Sequence, residues 1–124
     1  MILFLDTSDL HHMILALIPK SGDITRHEFA VAYNENDQTL GFLDKFLKRH
    51  RVKADDINKI IVCSGPGSFT GTRVGVTIAQ AFGFAKNIPV VAIKKTQVPT
   101  DLRKLATLKA SGKLILHYNR PAVV

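Results

Sequence analysis

Cys63-Ser64-Gly65-Pro66-Gly67-Ser68-Phe69-Thr70-Gly71-Thr72-Arg73 decides the reading of this chain, because it lies between two strongly patterned segments. Before it, Lys59 to Cys63 is a short apolar run rich in β-branched residues, the pattern of a buried strand. After it, Val74, Ile78, Phe82 and Ala85 recur at three- and four-residue spacing, which predicts a helix from about Phe69 to Lys86. The stretch is thus a strand, a glycine-rich turn and a helix start. Such a turn leaves backbone N–H groups without helical partners, and with the helix dipole they favour an anion. Pro66 fixes φ in mid-turn, the neighbouring glycines allow positive φ, and Ser68 or Thr70 is placed to cap the helix. By residue chemistry alone, the loop reads equally well as a phosphate cradle and as a tight connection that binds nothing.

Two familiar phosphate loops fail on spacing. A P-loop ends in Gly-Lys-Ser/Thr, whereas this one ends in Gly71-Thr72-Arg73. The dinucleotide fingerprint fails too, because Gly65, Gly67 and Gly71 are too widely spaced and the next strand, Pro89 to Ile93, leads into Lys94 and Lys95 rather than an acid.

The block from Gly65 to Gly75, with Ile2-Leu3-Phe4-Leu5-Asp6-Thr7-Ser8 before it and Asn87-Ile88-Pro89-Val90-Val91 after it, resembles the amino-terminal domain of the TsaB (YeaZ) family over roughly residues 1 to 95. The resemblance implies an α/β fold of the actin-like ATPase (ribonuclease H-like) kind, here a single lobe with a mixed five-stranded sheet. It implies a non-catalytic scaffold role in making threonylcarbamoyladenosine on tRNA, beside a TsaD-like subunit that holds the metal and the active site. A TsaE-like ATPase in the assembly, a homodimer in isolation, tRNA met through the complex, no membrane and a cytoplasmic location follow from the same resemblance. Asp6, Thr7, Gly65, Gly67 and Ser68 become phosphate-proximal residues by position, with no cofactor held by the chain alone and ATP or ADP at the interface with the partner. In actin-like folds an aspartate in the place of Asp6 helps to position metal and phosphates; the plain alternative is a turn residue bonding to nearby N–H groups. TsaB relatives carry a histidine and a serine where this chain has Asn36 to Thr39, so nothing is carried over there.

The 124 residues, 46% hydrophobic and 22% charged, suit one globular domain with a core and exclude disorder throughout. No apolar run approaches the roughly 20 residues of a membrane span, and the start lacks a secretory pattern. The single cysteine, Cys63, reads as a small core residue rather than a nucleophile. The net charge of +7 is concentrated in residues 86 to 124, where Lys86, Lys94, Lys95, Arg103, Lys104, Lys109, Lys113 and Arg120 face only Asp101. Such a segment suits RNA or an acidic surface, or is a solvated basic face. The five histidines lack helix-pair or zinc spacing, so no metal site is expected.

Ile2 to Leu5 reads as a first strand, His12 to Ile18 as a second, turned at Pro19 to Asp23, and about Ile24 to Ala32 as a third, which makes an opening antiparallel meander. Asn36 to Arg51 reads as an amphipathic helix capped by Asp37, with Leu40, Leu43, Phe46 and Leu47 on one face. Asp55-Asp56 opens a short helical turn. Thr100 to Leu105 begins a last short helix ended by Ser111-Gly112, and Leu114 to Leu116 reads as a further strand. Residues 1 to 95 form the expected TsaB-like domain and residues 96 to 124 a short basic segment, where a family member of usual length continues into a second lobe.

Gly71, Gly75, Ala79 and Gly83 fall four residues apart and form a strip almost without side chains. Glycine inside a helix costs up to about 1 kcal/mol relative to alanine, so the strip implies close packing. The residues leave open whether it meets the chain's own sheet or another subunit. The resemblance selects the second, with Leu40, Leu43, Leu47, Gly71, Arg73, Gly75, Ala79 and Gly83 as the partner interface. Two other functions compete: a nucleotide-binding, kinase-like enzyme using Asp6 and the glycine loop, and a basic RNA-binding module.

Overall fold

Apolar runs and alternation pair the chain into one mixed sheet. The computed structural model describes residues 1–9, 11–30, 38–67 and 69–107. Its strands are β1 (Ile2–Asp6), β2 (His12–Ile18), β3 (Thr25–Ala30), β4 (Lys59–Cys63) and β5 (Val90–Ile93), in the order β3-β2-β1-β4-β5. β1, β2 and β3 form the expected antiparallel meander, in which Ile2 lies opposite Ile18 and His12 opposite Ala30. β4 and β5 join parallel to β1, so the carboxyl ends of β1, β4 and β5 share one edge. This is the mixed α/β sheet of the actin-like, ribonuclease H-like fold.

Two helices cover one face: α1 (Thr39–Arg49) and α2 (Phe69–Lys86). Leu3, Leu5, Met13, Leu15, Ile60 and Val62 are buried towards them. On the other face Ile2, Phe4, Ile18, Ile61, Val91 and Ile93 pack on Leu102 and Leu105 of a 3-10 helix at Leu102–Thr107. β1 is therefore buried along its whole length, and alternation is absent from it. Leu102 and Leu105 thus pack on the same sheet as the strands; the expected end at Ser111-Gly112 and strand at Leu114 to Leu116 lie outside the described residues. β3, at the sheet edge, alternates as a half-covered strand, and Phe29 meets Phe42 and Phe46 of α1. No helix among the described residues is long and apolar enough to cross a membrane.

α1 ends two residues before the expected Arg51. It stops at Arg49 because Arg51 turns left-handed (φ 59) and Val52 N–H bonds back to the Leu47 carbonyl at 2.9 Å. α2 ends in the same way, with Asn87 at φ 57 and Ile88 N–H on the Gly83 carbonyl at 3.0 Å. Asn36, Asp37 and the proposed Asp37 cap lie outside the described residues. Leu43, Phe46 and Leu47 are buried as expected, but Leu40 is 60% exposed and leaves the core stripe.

The face of α2 that packs inward reverses the reading of the larger apolar residues. Gly71, Gly75, Ala79 and Gly83 are buried, whereas Val74, Ile78 and Phe82 are only half-buried, Ile78 and Phe82 leaning on the core, and Ala85 is exposed. A Cβ at Gly75 would strike Thr7 Oγ1, and one at Gly83 would strike Val90 Cγ2. The strip thus meets the chain's own sheet, and its assignment to a partner is corrected. Leu43 and Leu47 leave the proposed interface for the same reason, since they are spent on the internal core.

Gly75→Ala should gain up to about 1 kcal/mol in helix propensity but lose about 1–3 kcal/mol to overpacking against Thr7, for a net loss of up to about 3 kcal/mol. Gly41→Ala on α1, where a Cβ meets nothing within 4 Å, should instead gain up to about 1 kcal/mol. Urea unfolding of both variants checks the opposite signs; equal gains would exclude close packing at Gly75.

Candidate functional site

The parallel edge gathers three turns. β1 delivers Asp6-Thr7-Ser8, β4 leads into Ser64 to Gly67, and β5 leads into a 3-10 turn at Lys95–Gln97. Backbone bonds hold them in register: Ser64 N–H donates to the Ile93 carbonyl at 2.8 Å, and Lys95 N–H to the Gly65 carbonyl at 2.8 Å. Thr7 Oγ1 donates to the Gly71 carbonyl at 2.5 Å, which ties the end of β1 to the first turn of α2.

Gly65 and Gly67 are explained by the chain's own conformation and packing. Gly65 sits at φ 98, where a side chain is strained, and the peptide to Pro66 is cis. Gly67 does not use positive φ. A Cβ there would strike the Ser8 carbonyl, so the residue is glycine because the chain leaving β1 passes against it. Ser68 lies outside the described residues. The binding-nothing reading of the loop therefore accounts for Gly65 and Gly67 without a phosphate.

Asp6 is 3% exposed. Its Oδ1 accepts from Ser8 N–H at 2.9 Å and from Ser8 Oγ at 2.6 Å, which is the turn-residue arrangement expected of Asp and Ser. Its Oδ2 accepts from Lys95 Nζ at 2.9 Å, and the same ammonium donates to Ser8 Oγ at 3.1 Å. Burial by itself would raise the Asp6 pKa, but the bonds from Ser8 and Lys95 outweigh it and hold the carboxyl below its ordinary value. Lys95 shows the opposite balance. Partial burial would lower its pKa, and the bond and charge of Asp6 lift it above the ordinary lysine value. Both groups are therefore ionised at neutral pH.

Cys63 Sγ lies 3.8 Å from Ser8 Oγ, and burial, with the nearby Asp6 charge, pushes the thiol up. This suits a core thiol, not a nucleophile. Lys95 is the residue that sequence reading missed as a site component. It was legible only as part of a basic run, because its role depends on β5 lying in the sheet two strands from β1. Of the five described bases of this segment, Lys86 pairs with Asp55, Lys95 with Asp6 and Arg103 with Asp101.

A metal-bound nucleotide, as the fold family implies, does not fit Asp6 as it stands. Oδ1 holds two donors and Oδ2 faces an ammonium at the distance of a hydrogen bond. A divalent ion needs that oxygen at about 2.0–2.6 Å and several more oxygens around it.

Because the Asp6 pKa is lowered, its share of stability is present above the unfolded value of about 3.9 and is lost as pH falls through the folded value. Because the Lys95 pKa is raised, its share is present below about 10.4 and is lost as pH rises through the folded value. Lys95→Met should cost about 1–3 kcal/mol near neutrality, less than a fully buried pair because the lysine side chain is 44% exposed. Urea unfolding of both proteins across pH should show that gap shrinking towards both extremes; a gap independent of pH would exclude the pair as its source.

With this geometry in hand, comparison with known proteins places the chain. The family model described as TsaD: tRNA N6-adenosine threonylcarbamoyltransferase matches residues 31–106. The Bacillus subtilis (strain 168) tRNA threonylcarbamoyladenosine biosynthesis protein TsaB is 30% identical over 112 residues, which are 90% of this chain and 44% of that protein. YeaZ from Pseudomonas aeruginosa superposes with a TM-score of 0.67 at 28% identity, covering 75% of this chain and 43% of that one. T. thermophilus RuvC in complex with a Holliday junction substrate has a TM-score of 0.53 at 12% identity and 78% coverage of this chain and 66% of its own, a likeness of fold alone. The chain spans less than half the length of its TsaB and YeaZ relatives. It belongs to the family that the matching model describes, and within it to the TsaB (YeaZ) proteins.

Proposed function

We propose that this chain is a non-catalytic partner of a TsaD-like subunit in the formation of threonylcarbamoyladenosine on tRNA, docking through the outward faces of α1 and α2. The names of its relatives supply the pathway. The outer face of α2 carries the docking reading. Phe84 is 91% exposed, and a groove of about 340 Å³ is lined by Arg73, Val74, Thr77 and Ile78 on the same side of the helix. At 3.6 residues per turn Val74, Ile78, Ala81, Phe84 and Ala85 form one broad apolar band. Leu40 of α1 is the other large apolar side chain left exposed among the described residues.

Such a band is what an association surface requires: apolar area in one patch, with few charges to desolvate. Of the residues first assigned to the interface, Leu40 and Arg73 stay in this proposal, and Val74, Ile78 and Phe84 replace the inward-facing strip. The Asp6 carboxylate, with both oxygens hydrogen-bonded within the chain, supports a non-catalytic role. ATP or ADP belongs to the assembled complex, where the partner supplies a second wall; a TsaE-like ATPase and tRNA join at that level, and the chain alone pairs with itself.

The test is co-purification of the chain with the TsaD-like protein of its own organism, with the mixture assayed for threonylcarbamoyl transfer to tRNA. Val74→Asp and Phe84→Asp should weaken association at least about tenfold, roughly 1.4 kcal/mol or more, with unfolding midpoints near wild type. Unchanged affinity in both variants would remove α2 as the docking surface, and absence of any complex would remove the partner reading.

A further inference from the structure

The cavity beside Asp6, of about 180 Å³, is walled by three acids, Asp6, Asp9 and Glu28, and three bases, His12, Arg26 and Lys95. Each acid has a base of the same wall as its neighbour. Asp6 holds Lys95 at 2.9 Å, Arg26 lies 3.5 Å from Glu28, and His12 lies 3.7 Å from Asp9. Asp9 also accepts His11 N–H at 2.8 Å. A site shaped for a divalent cation would instead turn several oxygens towards one empty point.

The position of Lys95 is built rather than casual. Its backbone N–H is held by the Gly65 carbonyl, and the turn that carries it is closed by Lys94 N–H on Gln97 Oε1 at 2.7 Å. From there the ammonium reaches across the sheet edge to a carboxylate 89 residues earlier, and it bridges that carboxylate to Ser8 Oγ. An isolated carboxylate this deeply buried is costly unless it is paired, so a counter-charge is required at this point.

We propose that Lys95 supplies, from within the chain, the positive charge that a divalent cation would bring to Asp6, and that the site is thereby closed to metal. The fold keeps its acid at the end of β1 but satisfies it with an ammonium. This holds whether or not the chain docks on a partner, because it concerns the isolated chain. It also separates two readings of the glycine loop, since an enzyme that handles metal-bound nucleotide at Asp6 would have to expel Lys95 first.

Manganese is the probe, followed by paramagnetic broadening of backbone amide signals and by electron paramagnetic resonance of the free ion. At about 1 mM Mn²⁺ the wild-type chain should show no selective broadening of Ser8. Lys95→Met should bind Mn²⁺ at least about tenfold more tightly than wild type, with Ser8 broadened, and Lys95→Met combined with Asp6→Asn should lose that gain. Selective broadening of Ser8 in the wild type overturns the proposal, and this measurement stands even where a variant folds poorly. A folded Lys95→Met chain with wild-type affinity for Mn²⁺ overturns it as well.

Discussion

The structure depends on how closely α2 lies against the sheet. Where Gly75 faces Thr7 and Gly83 faces Val90, there is no room for a side chain on the helix. The hydroxyl of Thr7 uses this space to reach the Gly71 carbonyl, which locks the exit of β1 to the first turn of α2. Gly67 extends the same close contact into the loop, where it passes the Ser8 carbonyl. Interior glycines that weaken an isolated helix are thus retained because packing, not propensity, decides the stability of α2.

This closeness divides the helix into a buried inner strip and an outer face. Its inner strip is consumed by the chain's own fold. Of the larger apolar residues, Val76, Ile78 and Phe82 lean on the core from the margins of the strip, and Phe84 stands exposed on the outer face, where Val74 lines a groove. Large side chains on a core helix ordinarily mark its buried face. Here the sheet fills the centre with Leu3, Leu5, Ile60 and Val62, and the helix adds Ala79 there and Val76, Ile78 and Phe82 at the margin.

Charge at the parallel edge follows a comparable rule. Closing three turns around Asp6 removes it from water, and a carboxylate so placed needs donors. Ser8 comes from the same turn and Lys95 from the turn after β5, so local and distant parts of the chain share the task. The charged edge and the apolar outer face of α2 thus serve different purposes within one small body.

The meander, both helices and the strand-loop-helix unit were legible in the sequence because periods of two and of 3.6 are local properties of a chain. Composition likewise marked Cys63 as a core residue, and Asp6-Thr7-Ser8 was identified as the polar end of a buried strand. The spacing of Gly71, Gly75, Ala79 and Gly83 signalled close packing but carried no sign of what would be packed, since a strip of small residues fits an internal sheet and a foreign helix equally well. Only the tertiary structure decided that. It also decided the partner of Asp6, because nothing in the neighbourhood of either residue links it to Lys95 until β4 and β5 take their places beside β1. Sequence determines what a segment prefers by itself; which faces and which ends meet is set by contacts between distant segments, whose energy exists only once the sheet is formed.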